Sequence, residues 1–244
     1  MIEVKGVTKR YGRFTAIENI SLTVADSTVY GLVGYNGAGK TTLLKTVAAV
    51  YLPDEGEVLV NGTSAYDDRT PARAPFIVAD EPYFLPQATP RTMRDFYAGY
   101  YPDWSDGTFA NLLALFDLDP KARISGYSKG MQRQTAILLG LATGARSLLL
   151  DESFDGLDLS KRILLKRLLR RYAIARGAAV ILSSHNLREL EDVADRIGMI
   201  EGRHLVFDDS MDELHAKHPG ESLEQIFLDE REVTDHDLDK IFIW

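Results

Sequence analysis

The order of hydrophobic and polar residues predicts several strands at the start of the chain. Apolar or alternating runs cover residues 2–7, 17–24 and 29–33, and turn residues separate them at 11–13 and 25–27. A turn at 53–56 leads into a further strand at 57–62, and the apolar run 76–78 predicts another. We therefore expect an antiparallel β subdomain near the N-terminus.

The pattern becomes helical between residues 89 and 141, where three helices are predicted over 91–101, 105–116 and 129–141. Strand and helix then alternate, with strands at 147–150 and 179–182, helices at 160–176 and 186–194, and a short terminal helix at 222–228. This alternation favours an α/β fold with a mostly parallel central sheet, covered by helices and interrupted by an α-helical insertion.

Composition narrows the classes of function. The 244 residues are 45% hydrophobic and 26% charged, and they include no cysteine, so disulfides and thiolate metal sites are excluded. No apolar run reaches the ~20 residues of a membrane-spanning helix. The formal net charge of -8 argues against broad binding of nucleic acid or anionic lipid. We expect a cytoplasmic protein with no nucleic-acid partner and no direct membrane insertion.

A glycine-rich turn between a predicted strand and a predicted helix indicates a nucleotide site. Its residues are Gly34, Tyr35, Asn36, Gly37, Ala38, Gly39, Lys40 and Thr41, followed by Thr42. Such a loop turns backbone N–H groups onto phosphates, and the helix N-terminus adds to their positive potential. Lys40 is expected to reach the phosphates of ATP, and the Thr41 hydroxyl to bind Mg²⁺. The alternative is a turn that only connects strand and helix.

Two acids end the predicted strand 147–150. Ligands of open α/β sheets bind at the carboxyl ends of the strands, where Asp151 and Glu152 follow directly. Asp151 is placed to hold Mg²⁺, and Glu152 to orient the attacking water or accept its proton. The alternative is that both acids cap a helix or form a turn.

The signature segment, which comprises Ser128, Lys129, Gly130 and Met131, begins a predicted helix with a serine N-cap. Together with the glycine-rich loop and the acid pair, it resembles the ATP-binding subunits of ABC transporters. The family's Leu-Ser-Gly-Gly-Gln motif is matched at Ser128 and Gly130, whereas Lys129 and Met131 depart from its commonest form. This variant resembles the one found in exporters of drugs and antibiotic peptides. The resemblance covers residues 1 to about 210 and implies a P-loop NTPase core.

The same resemblance implies further site residues. Tyr11 would stack on adenine, Asp158 would lie in the loop that joins two subunits, and His185 would contact the γ-phosphate. A surface tyrosine and a structural histidine are the alternatives. Asp80 stands where the family has Gln or Glu as a Mg²⁺ contact, and it adds negative charge near the phosphates.

The resemblance implies the organisation and activity of the chain. Residues 1–88 and 142–210 would form the ATP-binding core, 89–141 the helical subdomain, and 211–244 a C-terminal extension. The expected function is Mg²⁺-dependent ATP hydrolysis that powers an exporter. The partners would be a second ATP-binding subunit, with a homodimer sufficient, and a separate polytopic membrane subunit that holds the chain at the inner face of the membrane. The alternative is a soluble ABC-type ATPase that acts as a regulator or remodelling factor without transport.

Two segments allow alternatives. The aromatic run 96–104 either packs within the protein or forms a groove for a helix of the membrane partner. The basic residues between 161 and 171 either form a solvated face or bind nucleic acid.

Overall fold

The N-terminal strands form an antiparallel sheet in a computed structural model that describes residues 1–67 and 74–229. Its strands are β1 (Ile2–Tyr11), β2 (Phe14–Val24), β4 (Glu55–Val60) and β5 (Thr63–Ser64), in the order β2-β1-β4-β5. The alternation of apolar and polar residues in β1 and β2 buries one face of each strand. This sheet confirms the predicted antiparallel β subdomain.

A second sheet of six strands carries the rest of the fold in the order β10-β9-β3-β8-β7-β6. The strands are β3 (Val29–Val33), β6 (Phe76–Val78), β7 (Ser147–Leu150), β8 (Ala179–Ser184), β9 (Arg196–Glu201) and β10 (His204–Ser210). Neighbouring strands are parallel except β9 and β10. The carboxyl ends of β3, β6, β7 and β8 therefore share one edge, where the loops that follow them meet.

Eight α-helices complete the described part of the chain: α1 (Lys40–Val47), α2 (Pro90–Ala98), α3 (Asp106–Phe116), α4 (Lys129–Ala142), α5 (Leu159–Arg176), α6 (Leu187–Glu191), α7 (Met211–Lys217) and α8 (Leu223–Asp229). Side-chain N-caps fix most of their starts, because a hydroxyl or carboxylate accepts a backbone N–H of the first turn. Thr89, Ser105 and Ser128 cap α2, α3 and α4 in this way.

Apolar side chains cover both faces of the larger sheet. Along β7, Leu148 and Leu150 join the cluster that includes α3, α4 and α5, whereas Leu149 joins the cluster beneath α1 and the antiparallel sheet. All three leucines are fully buried, and burial of a leucine contributes about 2 kcal/mol. The α/β fold predicted from the sequence is confirmed, with helices α2 to α4 inserted between β6 and β7.

Several boundaries differ from the predictions. Strand β1 continues to Tyr11, and α6 ends at Glu191 because Asp195 already donates its N–H to Val29 and returns the chain to the sheet. The sequence pattern does not predict strands β9 and β10 or helix α7. Residues 230–244 of the predicted C-terminal extension lie outside the described residues. Within the described ranges, every helix is too short or too polar to cross a bilayer.

Candidate active site

The glycine-rich loop joins β3 to α1 at the shared sheet edge. Gly39 is the N-cap of α1 and has a φ of 110°, and a Cβ at this position would lie 2.7 Å from the Ala16 carbonyl oxygen. Only glycine fits both conditions. The loop ends in the first turn of α1, whose free N–H groups form an anion-binding end.

Lys40 is buried inside this loop. Its Nζ donates to the carbonyl oxygens of Gly34, at 2.6 Å, and Tyr35, at 3.3 Å, and lies 3.0 Å from Glu152 Oε1. A buried ammonium group is stable only when it is paired and hydrogen-bonded, and these three oxygens satisfy it. The structure thus brings Lys40 and Glu152 together, 112 positions apart in sequence.

Asp151 follows β7 and is buried, with its N–H bonded to the Val78 carbonyl. Its Oδ1 accepts a hydrogen bond of 2.7 Å from Ser183 Oγ. Its Oδ2 is buried without a hydrogen-bond partner among the described residues. A buried carboxylate oxygen normally has a partner, and a hard divalent cation is a partner that oxygen suits. The donor set therefore fits Mg²⁺, with the Thr41 hydroxyl exposed in the first turn of α1.

Glu152 is held between Lys40 and His185. Its Oε2 lies 2.9 Å from His185 Nδ1 and accepts the backbone N–H of His185 at 3.3 Å. Burial alone would raise the pKa of Glu152, but the hydrogen bonds from His185 and Lys40 outweigh it and lower the pKa below its usual range. Glu152 is therefore a carboxylate at neutral pH. We call Lys40, Asp151, Glu152 and His185 the acid cluster.

The other residues predicted for nucleotide binding lie on the outer side of the loop. Tyr35, Asn36 and Gly37 are exposed, and Ala38, Gly39 and Thr42 are half-buried. Tyr11 ends β1, is 44% exposed, and packs its ring edge-on against Tyr51 at a centroid distance of 5.8 Å. The Lys9 Nζ lies 5.9 Å from the centroid of the same ring.

The signature segment begins α4 apart from the acid cluster. Ser128 is exposed, and its Oγ accepts the Met131 N–H at 3.2 Å. Gly130 packs so closely on the loop after β7 that a Cβ would lie 2.5 Å from the Gly156 carbonyl oxygen. Lys129 and Gly156 line a cavity of about 430 Å³, whereas Gly34 and His185 line a different cleft of about 390 Å³. The two sets of residues therefore line different cavities.

Asp158 and Asp80 each have a partner within the chain. Asp158 caps α5 by accepting the Lys161 N–H at 2.9 Å, and the hydrogen bonds from Ser160 and Lys161 lower the pKa of its carboxyl group. Asp80 Oδ1 lies 2.5 Å from Arg133 Nη2, and Arg133 also donates to the Asp80 and Asp155 carbonyls. Arg133 thus joins the loop after β6, helix α4 and the loop after β7.

The sequence analysis did not single out Ser183 or Arg133. Ser183 and His185 are two residues apart, so they lie on the same face of an extended chain, and this spacing could have indicated a shared role. No comparable signal points to Arg133. Packing within the protein accounts for the half-buried Tyr97 and Tyr101, which contact Phe76, whereas Phe96 and Tyr100 are exposed. In the basic helix, Lys166 and Arg170 pair with Asp192 and Asp195.

The loop, its buried lysine and the paired acids place the chain among the P-loop ATPases. Residues 17–155, more than half of the chain, match the ABC transporter family, and the chain belongs to that family. It is an ATP-binding subunit of the ABC class and an ATPase, as its motifs predicted.

The comparisons also give individual relatives. The bacitracin transport ATP-binding protein BcrA of Enterococcus faecalis is 30% identical over 221 residues, which cover 89% of this chain and 72% of BcrA. The daunorubicin resistance ATP-binding protein DrrA3 of Streptomyces coeruleorubidus is 29% identical over 231 residues, covering 92% and 73%. A solved ATP-binding subunit of an ABC transporter superposes with a TM-score of 0.85 at 24% identity, covering 94% of this chain and 98% of that one. At 24% identity, the solved structure shows similarity of fold alone.

Proposed function

We propose that this ATPase subunit powers an exporter of drug-like or antibiotic-peptide cargo. The signature variant supports export, and the similarity to proteins of bacitracin transport and daunorubicin resistance supports the cargo class. The observation that carries the catalytic part is the ion-paired Glu152 between Lys40 and His185, beside an Asp151 Oδ2 that has no hydrogen-bond partner in the described part of the chain.

The glycine-rich loop is proposed to hold the phosphates of ATP through its backbone N–H groups and the charge of Lys40. The binding residues are Gly34, Tyr35, Asn36, Gly37, Ala38, Gly39, Lys40, Thr41 and Thr42, with Tyr11 stacking on the adenine ring. The exposed ring of Tyr11 and its edge-on support by Tyr51 favour this role.

Thr41 and Asp151 are proposed to hold Mg²⁺, whose charge would offset the charge that develops on the transferred phosphoryl group. Asp80 is the third ligand expected from the resemblance. Its carboxylate is paired with Arg133, so it would serve the metal after that ion pair opens.

Glu152 is proposed to orient the attacking water and accept its proton. The hydrogen bonds that keep Glu152 ionised also fix its position, because Lys40 holds one carboxylate oxygen and His185 the other. His185 is half-exposed, which leaves part of its ring free to contact the γ-phosphate. The reaction is then in-line transfer of the γ-phosphoryl group to water.

A second copy of the chain is proposed to complete each site. Ser128 and Lys129 of the signature segment are exposed, and Lys129 lines a cavity other than the cleft at Gly34 and His185. The segment would therefore close over ATP bound by another subunit, with Asp158 near the joint. A homodimer suffices because one chain carries both halves.

A separate polytopic membrane subunit is proposed as the recipient of the energy, and it would hold this chain at the inner face of the membrane. The exposed Tyr83 and Phe96 lie near a groove lined by Phe76 and Tyr97, and this apolar surface suits a helix of the membrane subunit. We also propose that the chain divides as the sequence predicts, into a core at 1–88 and 142–210, a helical subdomain at 89–141 and an extension at 211–244.

Steady-state ATP hydrolysis by the purified protein tests the catalytic part. We expect Glu152→Gln to lower the turnover by ~10²-fold or more, because a positioned base is lost, while ATP binding persists. Glu224→Gln is the matched control, since Glu224 lines a cleft with Gly34 and His185 but pairs with Arg188. Wild-type turnover in Glu152→Gln would remove Glu152 from the catalytic role.

A further inference from the structure

One buried hydroxyl contacts both acids of the cluster. Ser183 Oγ donates to Asp151 Oδ1 at 2.7 Å and accepts the Glu152 N–H at 3.1 Å. Ser183 is fully buried at the end of β8. A serine hydroxyl has one proton to donate and two lone pairs that accept. Ser183 is therefore the donor in one of these hydrogen bonds and the acceptor in the other.

The strand register explains why Ser183 reaches both residues. The last pair between β7 and β8 is Leu150 with Leu182, so Ser183 is the first residue of β8 beyond that pairing. The N–H of Glu152, which lies beyond the end of β7, bonds to the Ser183 side chain.

Glu152 has a left-handed backbone, with a φ of 45°, which an L-residue adopts only when its surroundings impose it. The hydrogen bond to Ser183 is one such constraint on the backbone, and Lys40 and His185 constrain the side chain. On Asp151, the bond to Oδ1 fixes the carboxylate and leaves Oδ2 as the oxygen without a partner among the described residues.

We propose that Ser183 is a positioning residue that orients Asp151 toward the metal and sets the backbone of Glu152. The inference rests on the proposed metal role of Asp151 and extends it to a residue that touches neither substrate nor metal. Such a partner fixes the ligand oxygen in space, and its loss typically weakens metal binding by about 10- to 100-fold.

The adjacent Ser184 is a matched control. It is equally buried, and its hydroxyl also makes two hydrogen bonds, to Glu189 Oε2 at 2.7 Å and from the Asn186 N–H at 3.0 Å. Neither bond involves the acid cluster. Removing either hydroxyl should therefore lower the melting temperature by a similar few degrees, about 2–4 °C.

The test measures Mn²⁺ binding by electron paramagnetic resonance in the presence of a non-hydrolysable ATP analogue. We expect Ser183→Ala to raise the Mn²⁺ dissociation constant about 10-fold or more, and Ser184→Ala to leave it within about two-fold of wild type. The kcat of ATP hydrolysis should fall in Ser183→Ala at saturating ATP, and Ser183→Thr should restore both values because it keeps the hydroxyl.

Two outcomes would overturn the inference. Ser183→Ala with the same Mn²⁺ affinity as Ser184→Ala would reduce Ser183 to a structural serine. If the alanine variant does not fold, Ser183→Cys, close in size but a weak hydrogen-bonding group, replaces it, and wild-type Mn²⁺ affinity in that variant would equally overturn the positioning role. Asp151→Asn separates the two proposals, because unchanged Mn²⁺ binding in that variant removes the metal role of Asp151 itself, whatever Ser183→Ala does.

Discussion

The acid cluster and the signature segment satisfy the hydrogen-bonding groups of their polar residues in opposite ways. In the acid cluster, residues from three distant parts of the chain satisfy one another inside the protein, as Lys40, Glu152 and His185 do. In the signature segment, Ser128 satisfies the backbone of its own helix, and its outer side is exposed. The first arrangement pairs Lys40 and Glu152 within one chain. The second satisfies the start of its own helix but lies outside the cleft that it is proposed to serve.

Substitutions should therefore have different effects in the two regions. A substitution in the acid cluster removes a contact on which buried charges depend, and the chemistry should suffer directly. A substitution at the exposed Ser128 or Lys129 of the signature segment should leave the folded chain nearly unaffected and act on association.

His185→Ala should give the largest change. We expect the ATPase turnover to fall ~10²-fold, because the lost group supports Glu152 and is proposed to face the developing phosphate charge. His204→Ala is the control, since His204 is exposed and contacts the Glu18 carbonyl instead. Steady-state kinetics at saturating ATP provide the measurement, and equal turnover in the two variants would contradict the assignment.

Ser128→Arg should act on the dimer. In a Glu152→Gln background we expect Mg-ATP to dimerise the protein, and Ser128→Arg to abolish the dimer by placing a bulky side chain at the start of α4. The added Ser128→Arg substitution should change ATP binding to the monomer by no more than about two-fold, because Ser128 lies outside the acid cluster. Light scattering with and without Mg-ATP measures association.

Ser105→Arg is the control for the dimer prediction, because Ser105 caps α3 in the same manner, by accepting the Thr108 N–H at 3.1 Å. Loss of the dimer in both variants would mean that a missing cap, rather than the exposed signature surface, causes the effect.

Asp80 should show a smaller effect, of several-fold. If its carboxylate serves Mg²⁺, we expect Asp80→Ala to raise the Mg²⁺ concentration for half-maximal hydrolysis about 3- to 10-fold, whereas Asp80→Gln should retain activity by relieving repulsion with the phosphates. Mg²⁺ titrations of ATPase activity provide the measurement. An unchanged Mg²⁺ dependence in both variants would leave Asp80 with the Arg133 ion pair as its role.

The thermal stability of Ser128→Ala should show the smallest effect. The loss of an N-cap costs about 1 kcal/mol, or about 2–4 °C in melting temperature. Thr89→Ala, which removes the cap of α2, should have a similar effect. A much larger loss for Ser128→Ala in thermal unfolding would show that the signature segment supports the fold, and the contrast drawn above would fail.

Local sequence signals predicted the strand, loop and helix around Lys40 and the acids after β7, because hydrophobic runs and glycines act over a few residues. They also located the Ser128 cap. Strands β9 and β10 were missed because their hydrogen bonds come from the sheet and from each other, as in the pairing of Met199 with Phe207. The contacts of Ser183 with Asp151 and of Arg133 with Asp80 depend on strand register and on the placement of α4. Residues close to these positions in sequence determine neither the register nor the placement.

The bond of Arg133 to Asp80 has an evolutionary consequence. Arg133 also donates to the Asp155 carbonyl, so a change at position 80 alone would leave a nearly buried guanidinium without its counter-charge, and a change at 133 alone would leave the loop after β6 with an unbalanced acid. In relatives with a neutral residue at position 80, an arginine at position 133 should therefore be held by the two backbone carbonyls alone.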